Sequence, residues 1–239
     1  MTIVPFAKAS EFSPARTLKS LAHRVRQRTG RYSLLFAALT LVGKLYPLLG
    51  KGGVALFVWQ GAFWLMLLAT IRACAVNHRM QQIAEVLFAL SLLLRLAELG
   101  AEQADLEWLR PVEYGVQVLF FLVTLRAILD DVLRSTRVDA DHIYGALCAY
   151  VLIGVQFAYL FALIESVQPG SFVRADASGG LSETSDIGVR EFLYLSFVTL
   201  STLGYGDVLP NTDLAKVVAP AESLFGQLFL AVLVARLVG

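Results

Sequence analysis

Residues 199–207 read Thr-Leu-Ser-Thr-Leu-Gly-Tyr-Gly-Asp, and the organisation of the whole chain can be worked out from this stretch. Gly204 and Gly206 are separated by one residue, and glycine adopts positive φ at no steric cost. A backbone that alternates in handedness turns successive carbonyl oxygens toward the same side. The glycine spacing therefore predicts a row of aligned carbonyls, to which Thr202 adds a hydroxyl. Such a row supplies the oxygens that a naked cation needs in place of its hydration water.

The surroundings of this stretch place it inside a membrane. It lies between two apolar stretches that are long enough to span a bilayer, and the helical run 188–201 before it is too short to span. A Gly-Tyr-Gly triplet alone also occurs in ordinary turns. Non-helical backbone at membrane depth, however, persists only where protein or a water-filled cavity covers it. We therefore expect a re-entrant loop at 199–207 rather than a surface turn.

The run Thr-Leu-Gly-Tyr-Gly-Asp at 202–207 resembles the selectivity filter of prokaryotic-type tetrameric potassium channels, with Leu203 where the commonest signature, TVGYG, has valine. The resemblance implies a homotetramer of identical subunits around one pore, with K⁺ as the permeant ion and no cofactor. It also implies K⁺ coordination by Thr202, Leu203, Gly204 and Tyr205, and a filter mouth at Gly206 and Asp207.

The resemblance covers roughly the last 100 residues and assigns further positions. Gly226 falls where the family has its inner-helix hinge glycine, although a small residue there also permits close helix packing. Asp207 is held in the family by partners on the pore helix. One such partner in some members is a glutamate, and Val198 occupies that place here. Tyr194 stands where an aromatic donor often lies, so we expect it to brace the filter by a hydrogen bond to Asp207.

Two polar residues in the last apolar stretch, Glu222 and Gln227, have two interpretations. Polar groups in spans usually face a bundle interior or a cavity. They either line the central cavity or make hydrogen bonds between helices.

Composition assigns the chain to the membrane class. Of its 239 residues, 57% are hydrophobic, and the mean hydropathy is +0.66. A spanning helix needs about 20 mainly apolar residues. Six stretches qualify, at residues 32–49, 54–76, 81–99, 112–134, 142–166 and 214–238.

Basic residues decide the orientation, because they concentrate on the cytoplasmic side. If the N-terminus is cytoplasmic, that side holds the basic tail 1–31 with Arg72, Arg79, Arg134, Arg137 and Arg236, which together outnumber the basic residues outside. Both termini are then cytoplasmic, and the filter opens to the outside. Residues 167–187 are expected to form a mobile external loop with a net negative charge.

These observations predict an all-α membrane protein with three segments. Residues 1–31 form a basic amphipathic segment on the cytoplasmic leaflet, where anionic lipids are its partners. Residues 32–137 form a four-helix, sensor-like transmembrane bundle. Residues 138–239 form a two-helix pore module of the potassium-channel type, with a re-entrant pore helix.

The fourth span decides whether the bundle senses voltage. A sensor needs a ladder of arginines, because each charge contributes only about 2.3 kcal/mol per 100 mV. Arg126 alone lies at depth in this span. We expect it to form a buried structural pair with Glu85, and Arg95 to meet Glu98 or Glu113 in the same way.

The function that follows is a passive, K⁺-selective channel that is not strongly voltage-gated. The alternatives are a weakly selective cation channel and a voltage-gated channel with a reduced sensor. An enzymatic role has no support in the motifs, and nucleic acid is not an expected partner. The resemblance places the chain, as a multi-pass protein, in the bacterial inner (plasma) membrane.

Overall fold

The computed structural model describes residues 30–45, 61, 64, 68, 78–100, 108–134, 140–175, 181–182 and 188–238. Within these ranges the structure has six helices and three short strands. The predicted N-terminal amphipathic segment, most of the second span at 54–76 and much of the external loop lie outside the described residues.

The helices are α1 (Arg31–Leu45), α2 (His78–Gly100), α3 (Leu109–Arg134), α4 (Ala140–Val167), α5 (Val189–Leu200) and α6 (Asp213–Val238). Four of them, α2, α3, α4 and α6, are long and apolar enough to cross a membrane. They confirm the helical character of the predicted stretches 81–99, 112–134, 142–166 and 214–238. The short run expected at 188–201 is also confirmed as a helix, α5.

Helix α3 begins two residues before Pro111 and three before the predicted stretch 112–134. Proline is tolerated in the first turn of a helix because the N–H that it lacks has no partner within the helix there. The start of α3 therefore shifts without loss of a backbone hydrogen bond.

The structure contains a small antiparallel sheet, which the sequence did not predict; two of its strands lie within residues 167–187, and the third follows the 202–207 loop. Its strands are β1 (Phe172–Ala175), β2 (Leu181–Ser182) and β3 (Val208–Pro210), in the order β2-β1-β3. Val173 pairs with Leu209, so β1 is attached directly to the strand that follows the 202–207 loop. The expectation of a mobile loop throughout 167–187 is thus wrong for β1, because Phe172 and Val173 are buried there.

Helix α4 is the central element of the fold, since it packs against α1, α3, α5 and α6. Its residues are apolar nearly all round, as expected for a helix that is enclosed by neighbours. Its first half shares one core with α1, α2 and α3. Its second half shares another with β1, α5 and the start of α6, where the rings of Phe161, Phe172 and Phe192 meet at centroid distances of 5.1 to 6.5 Å.

The junction between α1 and α4 is fixed by one carboxylate. Asp141 Oδ1 accepts hydrogen bonds from the backbone N–H groups of Tyr32 (3.0 Å) and Ser33 (3.2 Å). These groups lie in the first turn of α1 and have no partner within that helix. Asp141 therefore caps α1 from the start of α4 and holds the front part of the chain against the part that carries the 202–207 loop.

Candidate functional site

The 202–207 loop has an alternating backbone. Thr202, Gly204 and Gly206 have φ values of +60°, +57° and +76°. Among the described residues Thr202 is the one non-glycine residue with positive φ. Such a conformation costs of order 1–3 kcal/mol and tends to occur at functional sites. The alternation is the one that turns successive carbonyls toward one side, as the glycine spacing predicts.

The loop is also exposed throughout this single chain. Every residue from Ser201 to Asp207 is exposed, and the apolar or aromatic side chains of Leu203 and Tyr205 are 59% and 66% exposed. Much of α6 has the same character, with Leu224, Phe225 and Leu228 each at least 60% exposed. Large exposed apolar surfaces mark sites of contact with protein or membrane.

Hydrogen bonds to the last turn of α5 fix the start of the loop. The backbone N–H of Thr202 donates to the Thr199 carbonyl at 2.9 Å, and that of Leu203 donates to the Val198 carbonyl at 2.9 Å. The hydroxyl of Tyr150 on α4 donates to the Leu200 carbonyl at 3.3 Å. The last carbonyl groups of a helix have no partner within that helix. At the end of α5, those of Val198 and Thr199 accept from the loop, and that of Leu200 accepts from α4.

Two glycines allow α5 to lie very close to its neighbours. A Cβ atom at Gly154 on α4 would approach the Phe197 ring to 2.8 Å, and one at Gly226 on α6 would approach the Leu200 carbonyl oxygen to 2.9 Å. Both distances are shorter than real Cβ contacts. Gly226 therefore has a packing role against the end of α5, as expected if a small residue is needed there for close helix packing. Its role as a hinge stays a prediction.

The carboxyl group of Glu222 on α6 contacts the hydroxyl of Ser196 on α5, and both side chains are fully buried. This contact favours hydrogen bonding between helices over cavity lining for Glu222. Gln227, five residues further along α6, is exposed in the chain.

Tyr194 lies beside the end of the loop. A side-chain hydrogen bond with Asp207 raises the pKa of the Tyr194 phenol above its usual 10.0. Because its pKa is raised, the phenol stays protonated at every pH below 10.0 and can act as a donor to Asp207. The Tyr194 ring also stacks on that of Tyr205, with centroids 6.3 Å apart and planes inclined by 22°.

The C-terminal end of the loop is attached to the sheet and to the start of α5. The backbone N–H of Ala175 in β1 donates to the Asp207 carbonyl at 2.9 Å. Arg174 in the same strand donates to Glu191 Oε1 at 2.7 Å, and the other oxygen of Glu191 accepts from the Gly188 backbone N–H at 3.0 Å. One carboxylate thus connects β1 to the first turn of α5.

The predicted Glu85–Arg126 pair is wrong. The ion pair of Arg126 is with Asp130, one turn along α3, at 3.6 Å, and the Arg126 side chain is 67% exposed. A partner at i+4 on the same helix is always within reach and needs no alignment between helices. Arg95 contacts Glu113, one of its two predicted partners, with 2.6 Å between Nε and Oε1, and the Glu113 side chain is 1% exposed. This contact is close in distance but is not aligned as a hydrogen bond.

The roles of Gly154, Ser196 and Tyr150, which hold α5 in place, were not predicted from the sequence. Each has a weak signal in the sequence. Gly154 is a glycine in the middle of an apolar helix, and Ser196 is a lone hydroxyl in a short apolar one. Tyr150 and Gly154 are four residues apart and therefore lie on one face of α4.

Comparison with known proteins identifies the part of the chain that carries this site. Residues 146–239 match the family model described as "Ion channel". A "Voltage-gated potassium channel" of Aeropyrum pernix is 31% identical over 110 residues, which cover 46% of this chain and 31% of that protein. "Protein LctB" of Geobacillus stearothermophilus is 27% identical over 125 residues, which cover 52% of this chain and 91% of that protein. No solved structure matches the chain.

These similarities support an ion channel, and with it a role that is not enzymatic. The four long apolar helices agree with an integral membrane protein. The matched residues 146–239 contain α5, the 202–207 loop and α6, so the similarity falls on the elements that build the site.

The interaction of the Tyr194 phenol with Asp207 provides a test of how the C-terminal end of the loop is held. Tyr194→Phe removes only the donor, so we expect the ionic current to decay faster during sustained opening, by roughly two- to tenfold. Tyr144→Phe is the control, because the Tyr144 ring packs against Phe36 in the front part of the chain. Patch recordings in defined lipid measure the decay, and an unchanged decay in Tyr194→Phe would show that the bond has no such role.

Proposed function

We propose that this protein is a K⁺-selective channel in which four identical chains place their 202–207 loops around a common axis. The carbonyl oxygens of Thr202, Leu203, Gly204 and Tyr205 then take the place of the ion's hydration water. One observation carries the proposal, namely the alternation of positive φ at Thr202, Gly204 and Gly206. Gly206 and Asp207 form the mouth of this filter, and K⁺ is the permeant ion rather than a resident cofactor.

The exposure of the loop supports a site that is built from several chains. One chain carries one copy of the loop, and a single row of carbonyls cannot surround an ion. The loop and the apolar residues of α6 that this chain leaves exposed are the surfaces that identical subunits would cover. Four copies follow from the resemblance of the loop to potassium-channel filters.

Potassium selectivity is supported by the loop sequence and by the similarity to the archaeal relative, which is named as a potassium channel. Selectivity depends on several adjacent rings of carbonyls, whereas the side chain of Leu203 would point away from the ions. Leucine instead of valine at position 203 therefore changes the packing behind the filter more than it changes the positions of the carbonyl oxygens. A weakly selective cation channel is the outcome if this packing loosens the rings.

Flux into liposomes tests both conduction and selectivity. We expect purified wild-type protein to pass K⁺ in preference to Na⁺. Gly204→Ala should abolish the preferred K⁺ flux, because a side chain in the left-handed region costs roughly 1–2 kcal/mol per residue and distorts the carbonyl row. Gly188→Ala is the matched control, since φ at Gly188 is −85° and a Cβ there meets nothing within 4 Å.

Each result of the flux assay has a separate meaning. Equal passage of K⁺ and Na⁺ by the wild type would contradict selectivity and favour the weakly selective channel. Passage of neither ion would contradict the channel itself. Equal loss of flux in Gly204→Ala and Gly188→Ala would contradict the role given to the positive φ of Gly204.

A voltage-gated channel with a reduced sensor is the second candidate, because the archaeal relative is named as voltage-gated. The charges of the described part of α3 argue against strong sensing. Arg126 is its one arginine between the helix ends, and a single charge contributes about 2.3 kcal/mol per 100 mV. Its partner Asp130 lies on the same helix, so a movement of α3 would move a positive and a negative charge together. The net charge moved across the membrane would then be smaller than that of Arg126 alone. We propose that residues 32–137 serve mainly as a scaffold.

Voltage-clamp recording of Arg126→Gln tests this assignment. We expect the conductance of the wild type to vary little with voltage and the variant to behave in the same way. A gating charge that appears on depolarisation in the wild type and is lost in Arg126→Gln would establish the reduced sensor instead.

We also propose a location and a lipid partner for the protein. The basic segment 1–31 would lie on anionic lipids of the cytoplasmic leaflet. The helices would cross the bacterial plasma membrane with both termini inside, as the distribution of basic residues favours.

A further inference from the structure

Three helices meet at the Ser196 hydroxyl. Its Oγ lies 2.6 Å from the Gly154 carbonyl oxygen of α4 and in hydrogen-bonding contact with Glu222 Oε1 of α6. The side chains of Ser196 and Glu222 are both fully buried. A single hydroxyl of α5 thus joins the two long helices on either side of it.

Counting protons assigns the direction of these two bonds. A serine hydroxyl carries one proton, and a backbone carbonyl can only accept. Two oxygens held at 2.6 Å without a proton between them repel each other, so Ser196 donates to Gly154. The second contact then needs a proton from Glu222, and a carboxyl group supplies one only in its acid form.

The other oxygen of the carboxyl group agrees with this assignment. Glu222 Oε2 is buried and has no hydrogen-bond partner among the described residues. A carboxylate would leave a charged oxygen unsatisfied in an apolar surrounding, which is far more costly than burying the carbonyl oxygen of a neutral acid.

A second level of contacts lies one helical turn away on all three helices. Tyr150, Leu200 and Gly226 are each four residues from Gly154, Ser196 and Glu222, respectively. At this level the Tyr150 hydroxyl donates to the Leu200 carbonyl, and Gly226 lets α6 approach that same carbonyl. Residues four apart share a helix face, so the hydrogen-bond chain and the glycine contact form one continuous seam. The seam ends at Leu200, two residues before the 202–207 loop.

We propose that Glu222, as a buried carboxylic acid, is a positioning residue that donates to Ser196, which in turn donates to the Gly154 carbonyl, and so fixes α5 and the 202–207 loop between α4 and α6. Its effect on ion flux rests on the proposed channel function, whereas the hydrogen-bond chain itself does not. Glu222 acts through Ser196 and α5 and does not contact the ion.

Infrared difference spectroscopy tests the acid form without any transport assay. We expect purified wild-type protein at neutral pH to show the carbonyl stretch of a protonated, singly hydrogen-bonded carboxylic acid. The band should disappear in Glu222→Gln and shift in Ser196→Ala, which removes the hydroxyl that accepts the proton. Absence of the band in the wild type, or its persistence in Glu222→Gln, would overturn the assignment.

Flux and current decay test the positioning role. Glu222→Gln keeps a donor, so it should retain conduction within about twofold, while Glu222→Leu should shorten sustained conduction by roughly tenfold. Ser196→Ala should resemble Glu222→Leu, and the double variant should be no worse than either single one, because both interrupt the same chain. Ser166→Ala is the control, since among the described residues its hydroxyl bonds within α4, to the Leu163 carbonyl at 2.8 Å.

The two proposals fail in different ways. A wild type that passes no ions contradicts the channel function and leaves the infrared result to decide the hydrogen-bond chain. A conducting wild type whose Glu222→Leu and Ser196→Ala variants conduct and decay like it contradicts the positioning role. Should Glu222→Leu fail to assemble, Ser196→Ala still decides, and additive losses in the double variant would contradict coupling through one chain.

Discussion

The close contact of α5 with α4 and α6 is the constraint on which the rest of the site depends. Glycine at 154 and at 226 removes the side chains that would keep the helices apart. The Tyr150 hydroxyl then reaches the carbonyl of the buried Leu200, and the Glu222 carboxyl contacts the Ser196 hydroxyl, which also bonds to the Gly154 carbonyl. A short helix of 12 residues has little stability of its own. Its position, and with it the start of the loop, is therefore set by these neighbours.

The C-terminal end of the loop is held by other contacts. Backbone pairing of β1 with β3 and the Ala175–Asp207 bond attach it to the sheet, and Glu191 connects the sheet to the first turn of α5. The strained residue Thr202 thus lies between two fixed ends. Strain of this kind persists only where the surrounding structure determines the conformation, and the contacts at both ends provide that.

Much of this arrangement followed from local patterns in the sequence. Apolar stretches long enough to span a bilayer gave α2, α3, α4 and α6 to within a few residues, and the glycine spacing in 202–207 anticipated the alternating backbone. The pairing of Arg95 with one of two candidates was also anticipated. These features depend on neighbours in the chain or on the length of a bilayer, and both can be read from one sequence.

Contacts between distant segments were not accessible in the same way. The sheet was not predicted because its strands are only two to four residues long, and because β1 and β2 lie in a stretch of glycine, serine and acidic residues. Glu222 was left with two interpretations, since only the packing of α6 on α5 brings it to Ser196. The Glu85–Arg126 pair was wrong because depth in the membrane does not determine which helix faces meet, and Asp130 was closer.

We propose that carbonyl oxygens from several copies of this chain replace the hydration of a cation. Electron cryomicroscopy of the protein in lipid nanodiscs with K⁺ or Tl⁺ can show these oxygens and the ion together. We expect a fourfold ring of chains with ion density on the axis, level with the carbonyls of Thr202 to Tyr205. A monomer, or a ring in which these carbonyls turn away from the axis and no ion density lies between them, would contradict the proposal.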